Sequence, residues 1–135
     1  MVIRMSWKMP ADASNVPLCR KAARLLLEHN SITDHDVDDA ELVLGELCSN
    51  VIRHAYDRSE GSMEINMALN DLDLVVSVSD SGCGFDSRNL PSTPRFSANG
   101  GMGFFLMEQF SDTVSIDSIN GGGSAVTTTR RVMRR

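Results

Sequence analysis

The chain has 135 residues, 41% hydrophobic and 23% charged, the balance of an ordinary soluble globular protein and enough for one domain, residues 1–135, with a core of its own. A formal net charge of −5 argues against the basic face of a general nucleic-acid binder, and a single Trp and a single Tyr leave little aromatic surface for stacking. No apolar run approaches membrane-spanning length and no signal-peptide pattern opens the chain, so a cytoplasmic protein without membrane contact is expected. Arg130, Arg131, Arg134 and Arg135 crowd the last six residues; they could touch an acidic partner, but read first as a frayed, solvated end. Cys19, Cys48 and Cys83 are odd in number and lack CxxC spacing, which favours neither a disulfide framework nor a zinc site. The first two fall within predicted helices and read as small buried hydrophobes.

In chain order, residues 1–9 alternate loosely and predict an opening strand, ended by Pro10, which has no N–H for the next rung. Asp12 and Ser14 offer caps to a helix reaching about His29, with Val16, Ala23, Leu26 and Leu27 on its apolar face. Asn30-Ser31 breaks that helix. Thr33 with Asp36 three residues on resembles a capping box, and starts a second helix from about Asp34 to about Tyr56. After a polar loop, Met63, Ile65, Met67 and Leu69 alternate with polar residues as a half-buried strand does. A turn at 70–73 and a strand over 74–79 complete a hairpin. Residues 88–100 contain two prolines and little periodicity, a loop long enough to expect a mobile lid. A helix restarts over 101–111, and 113–119 with 124–132 make a closing hairpin. The order β-α-α-β-β-loop-α-β-β has no βαβ alternation. The predicted fold class is therefore α+β, a two-layer α/β sandwich whose mixed, mostly antiparallel sheet is covered by helices on one face.

Three stretches carry candidate chemistry. In 41–56, ELVLGELCSNVIRHAY, the apolar stripe Val43, Leu44, Leu47 and Val51 would face the core. Glu46, Asn50 and His54 stand four apart and align a carboxylate, a carboxamide and an imidazole on one helix face. Taken alone, that row is a solvated helix edge. At the end of the 74–79 strand comes Asp80-Ser-Gly82-Cys-Gly84, where glycines let backbone approach a flat ligand and Asp80 can accept from an amine. Taken alone, DxGxG is an ordinary turn. The third, Asn99-Gly100-Gly101-Met102-Gly103, enters a helix whose free N–H groups suit phosphate, or simply caps it. Walker, Rossmann, HExxH and EF-hand patterns are all missing from the sequence.

The order of these stretches resembles the GHKL, or Bergerat-fold, ATPases, and within them the small anti-sigma-factor serine/threonine kinases. ELCSNVIRHAY looks like that family's N-box, DSGCGFD like its first glycine box, GGMGFFLMEQFSD like its second, and Gly123-Ser124 like its last Gly-Thr box. The resemblance covers nearly the whole chain. It implies an ATP site in which Asn50 binds Mg²⁺ and Glu46 is the catalytic general base. It further implies that Asp80 accepts from the adenine amine, that Gly82 and Gly84 shape the base pocket, that Gly101 and Gly103 wrap the phosphates, and that Ser124 supplies a hydroxyl beside Asp80.

The same resemblance implies an anti-sigma-factor antagonist of the STAS type as substrate and a sigma factor as partner. Members of the family often form homodimers, although no sequence feature of this chain shows one. One departure stands out. Asn99 takes the place where some members carry an Arg before the second glycine box, and the nearest basic residues are Arg88 and Arg95. Losing such a cation costs phosphoryl transfer about 10³-fold or more where it acts as an arginine finger. The alternatives are therefore a nucleotide-dependent binding module with little turnover, or a histidine-kinase catalytic domain. The latter is weakened because no helical hairpin bearing an acceptor His precedes the domain.

Overall fold

Alternation and capping build the sheet and helices largely where the sequence places them. The computed structural model describes residues 1–54, 61–82, 101–118 and 122–135. Strand β1 (Ile3–Pro10) leads through a short 3₁₀ turn (Ala13–Asn15) into α1 (Val16–His29) and α2 (Asp34–His54). Then follow β2 (Ser62–Leu69), β3 (Asp73–Asp80), α3 (Gly101–Gln109), β4 (Thr113–Ser118) and β5 (Ser124–Arg131). Pro10 is itself the last rung of β1, opposite Ser62, and the chain leaves the ladder just after it. The 3₁₀ turn, capped by Asp12 through the Ser14 N–H, delays α1 to Val16, where Pro17 suits the first helical turn.

The five strands lie in the order β1-β2-β3-β5-β4, and every neighbouring pair is antiparallel. The expected mixed sheet is thus antiparallel throughout the described residues. Strand β5 inserts between β3 and β4, so its first residue falls opposite the last residue of β3. Inward residues Met63, Ile65, Leu74, Val76, Val78 and Val126 share one core with Leu27, Leu44, Leu47 and Met107 of the helices. Burying each such side chain contributes about 1.5–3 kcal/mol. The opposite sheet face carries Ser6, Asn66, Ser77, Thr127 and Ser115, none of them buried, in register across the strands.

Half of the expected capping box forms, the Asp36 N–H donating to Thr33 Oγ1 at 3.4 Å, and the pair does more than cap. Thr33 Oγ1 lies 3.1 Å from Asp36 Oδ2, while Arg130 Nη2 donates to Asp36 Oδ1 at 2.6 Å and reaches Asp39 Oδ2 at 2.8 Å. Arg130 Nη1 also donates to the Phe110 carbonyl just beyond α3. Burial opposes charging Asp36, but Arg130, the Met133 N–H and the Thr33 hydroxyl outweigh it and hold the carboxyl below its usual range. The arginine-rich end is accordingly not frayed, as its composition suggested. Ile32 bridges Arg134, the Thr33 N–H donates to the Met133 carbonyl, and Arg134 reaches the carbonyls of Asn70 and Asp71. These bonds close the chain end over the α1–α2 junction.

Candidate nucleotide site

The antiparallel register of β3 and β5 sets Asp80 directly opposite Ser124. Both residues are buried, at 5% and 1% exposure, on a sheet face that is mostly apolar. Ser124 Oγ donates to Asp80 Oδ2 at 2.9 Å, and the Gly82 N–H donates to Asp80 Oδ1 at 2.9 Å. Each carboxylate oxygen keeps a further lone pair, so Asp80 can still accept from an incoming amine. Three of the sequence-predicted residues, Asp80, Gly82 and Ser124, are therefore joined by direct hydrogen bonds.

Gly123 explains why a glycine precedes Ser124. Its φ is +98°, and a Cβ there would collide with the Asp80 carbonyl oxygen. Only a residue without a side chain lets the two backbones come this close. The start of β5 is thus tied to Asp80 in two ways, through the Asp80 side chain and through close approach to its backbone.

On α2, Val43, Leu44, Leu47 and Val51 are buried as the stripe predicted. Asn50 is 7% exposed, and its Nδ2 has no hydrogen-bond partner among the described residues. Amide oxygen and nitrogen are interchangeable by a flip, so the unpaired position serves equally for the carboxamide oxygen. A buried amide group left unmet costs about 1–3 kcal/mol, so Asn50 has unused hydrogen-bonding capacity. An oxygen ligand of this kind suits Mg²⁺, which takes few protein ligands and keeps waters.

One turn earlier, Glu46 faces Arg53, with Nη2 to Oε2 at 3.6 Å. Arg53 sits seven residues, about two turns, beyond Glu46, and the sequence shows both on one helix side. Among the described residues no hydrogen bond joins the Glu46–Asn50 side of α2 to the Asp80 cluster. Gly101 opens α3, with Gly103 in its first turn, and α3 packs against α2. Gly84, Asn99 and the 88–100 segment lie outside the described residues, as does the side chain of His54. The predicted Gly84 contact and the expected lid fall there.

The family model described as "Histidine kinase-like ATPase domain" matches residues 9–130. The serine-protein kinase RsbW of Bacillus velezensis is 30% identical over 89% of this chain and 81% of its own length. The chain belongs to the histidine kinase-like ATPases of the anti-sigma-factor kinase group. An anti-sigma F factor of Clostridium acetobutylicum is 26% identical, over 91% of this ATPase domain and 90% of the relative. Among solved structures, the RsbU and RsbW domains of a Mycobacterium tuberculosis protein superpose with a TM-score of 0.72 at 20% identity. That match covers 98% of this chain and 33% of the larger one. The SiaB–SiaC complex of Pseudomonas aeruginosa gives a TM-score of 0.66 at 16% identity, over 96% of this chain and 89% of that one. At these identities the two structures speak for the fold. An ATPase domain of this kind binds ATP.

Proposed function

We propose that this ATPase domain is an ATP-dependent protein-serine/threonine kinase and anti-sigma factor. Its substrate would be a STAS-type antagonist and its second partner a sigma factor. The observation that carries the nucleotide half is the buried Asp80, oriented by Ser124 and Gly82 with acceptor capacity to spare. The kinase half is supported by relatives named serine-protein kinase and anti-sigma F factor at 25–30% identity.

In this reading ATP supplies the phosphoryl group, and the protein supplies placement and one proton acceptor. Asp80 selects adenine by accepting from its amine, within backbone shaped by Gly82, Gly84 and Gly123. Asn50 ligates the Mg²⁺ that accompanies the phosphates, which Gly101 and Gly103 wrap at the start of α3. Glu46 accepts the proton of the attacking serine or threonine hydroxyl, a role that requires its carboxylate to leave Arg53. Incubating the chain with radiolabelled ATP and a purified STAS-type antagonist of the same genome should label the antagonist on Ser or Thr. Tight ATP binding without labelled antagonist would overturn the kinase assignment.

A second reading, a nucleotide-dependent binding module with little turnover, is favoured by two observations. Asn99 stands where an Arg would assist transfer, and Arg53 Nη2 lies 3.6 Å from Glu46 Oε2. The same labelling experiment separates the two.

A further inference from the structure

Strand β1 is one edge of the sheet. All eight of its residues pair with β2, and among the described residues its other side meets no strand. Residues 3–9 take no backbone hydrogen bond outside that ladder among the described residues. The N–H and C=O groups of alternate residues therefore point to an open side. The inward face of the strand is also incompletely covered. Inward residues of β2 and β3 such as Met63, Ile65, Val76 and Val78 are buried, whereas Ile3, Met5, Trp7 and Met9 are only half-buried.

Helix α1 is drawn toward α2 and leaves that rim open. The Arg20 guanidinium lies against the space a Gly45 Cβ would take, and Arg24 pairs with Glu41 and Asp38, so this flank of α1 is packed on α2. At 100° per residue, the buried Cys19 and Ala23 separate that flank from the opposite one, which carries Leu18, Ala22, Leu25 and Leu26. Cys19 Sγ donates to Met9 Sδ at 3.2 Å and ties the helix to β1. On the flank away from α2, Ala22 and Leu26 are half-buried, while Leu18 and Leu25 stay 56% and 71% exposed. Unpaired backbone and an apolar ledge thus lie along one rim of the sheet.

The outward face of β1 sets the charge of what can join it. Arg4 and Lys8 are exposed, and neither makes an ion pair or hydrogen bond among the described residues. Glu64 stands opposite Lys8 in the ladder but forms no ion pair with it. A second copy of the chain, added antiparallel about Ser6, would set each Arg4 opposite a Lys8, and like charges directly across a ladder destabilise it. Acidic residues at those positions meet opposite charges instead. Basic side chains and a proline such as Pro10 commonly keep an edge strand from pairing with itself. Here the same charges that disfavour a second copy favour an acidic strand.

We propose that the free edge of β1 is a docking site for an extended segment of a partner protein in which acidic and apolar residues alternate. The segment adds to the sheet as a further strand, its backbone bonded to the open side of β1. Its acidic side chains lie beside Arg4 and Lys8, and its apolar ones fill the ledge of Met5, Trp7, Met9, Leu18 and Leu25. The site is independent of the proposed ATP site.

The probe is a blocked eight-residue peptide of alternating Glu and Val, the length of β1, with the corresponding Lys and Val peptide as control. Each is titrated calorimetrically into the full chain. The chain should bind the acidic peptide about tenfold more tightly than the basic one, as two cross-strand charge pairs allow, with a change in Trp7 fluorescence. Arg4→Glu combined with Lys8→Glu, both outside the core, should reverse that order and leave the far-ultraviolet circular dichroism unchanged. At saturation with the acidic peptide, the β1 N–H groups that face away from β2 should exchange with solvent more slowly. No binding, equal affinity for both peptides, or an order that survives the charge reversal would overturn the acidic partner. Unchanged exchange along β1 would overturn strand addition. A dimer in sedimentation that excludes the acidic peptide would give the edge to a second copy and overturn the proposal as well.

Discussion

Ser124 Oγ donates a 2.9 Å hydrogen bond to Asp80 Oδ2 between the first residue of β5 and the last of β3. Both residues are buried, so losing the bond leaves a carboxylate oxygen short of a partner. Ser124→Ala should lower stability by about 1–3 kcal/mol, the cost of an unmet buried polar group. Ser124→Thr keeps the hydroxyl and should recover most of it. Urea unfolding of the three proteins at neutral pH measures both differences, and an Ala variant as stable as wild type would contradict the bond's role.

Gly123 makes a sharper demand on the backbone. With φ at +98° and the Asp80 carbonyl oxygen where a Cβ would sit, Gly123→Ala should destabilise by more than about 1 kcal/mol. It should also weaken ATP binding, because relief of the clash displaces Asp80. Thermal unfolding and calorimetry on the same preparation test the two effects together.

On α2 the two polar residues separate by role. Asn50→Ala should abolish Mg²⁺-dependent ATP binding, whereas Glu46→Gln should leave binding intact and cut phosphoryl transfer about 10²- to 10⁴-fold. Calorimetry with and without Mg²⁺, followed by single-turnover labelling, resolves them. An Asn50→Ala protein that binds Mg-ATP like wild type would remove Asn50 from the site.

At the opposite end of the sheet, the Asp36–Arg130 pair predicts an acid-sensitive contribution. The folded pKa of Asp36 is depressed, so its contribution is complete above the unfolded value of about 4 and fades as pH falls through the lower folded value. Asp36→Asn should cost about 1.5–3 kcal/mol at pH 7, since it removes the charged acceptor of Arg130 while Asp39 remains. The gap between variant and wild type should narrow below about pH 4. Urea midpoints from pH 7 to pH 3 follow that convergence.

These contacts differ in how visible they are in the sequence. The alternation of Met63, Ile65, Met67 and Leu69, and the stripe on α2, mark their elements because burial imposes a short period on neighbouring residues. Asp80 and Ser124 are legible only through motif order, since their meeting depends on β5 entering between β3 and β4. The Arg130 pairings with Asp36 and Asp39 could not be read at all. They arise from the packing of β5 against the start of α2, and an arginine-rich end has the composition of a solvated tail.

The most direct test of the nucleotide site is calorimetric titration of ATP and GTP, with Mg²⁺, into wild type and Asp80→Asn. The wild type should prefer ATP, and the variant should lose about tenfold or more in ATP affinity along with that preference, the loss expected for a hydrogen bond to a charged acceptor. Unchanged affinity and unchanged preference in Asp80→Asn would contradict the placement of adenine against Asp80.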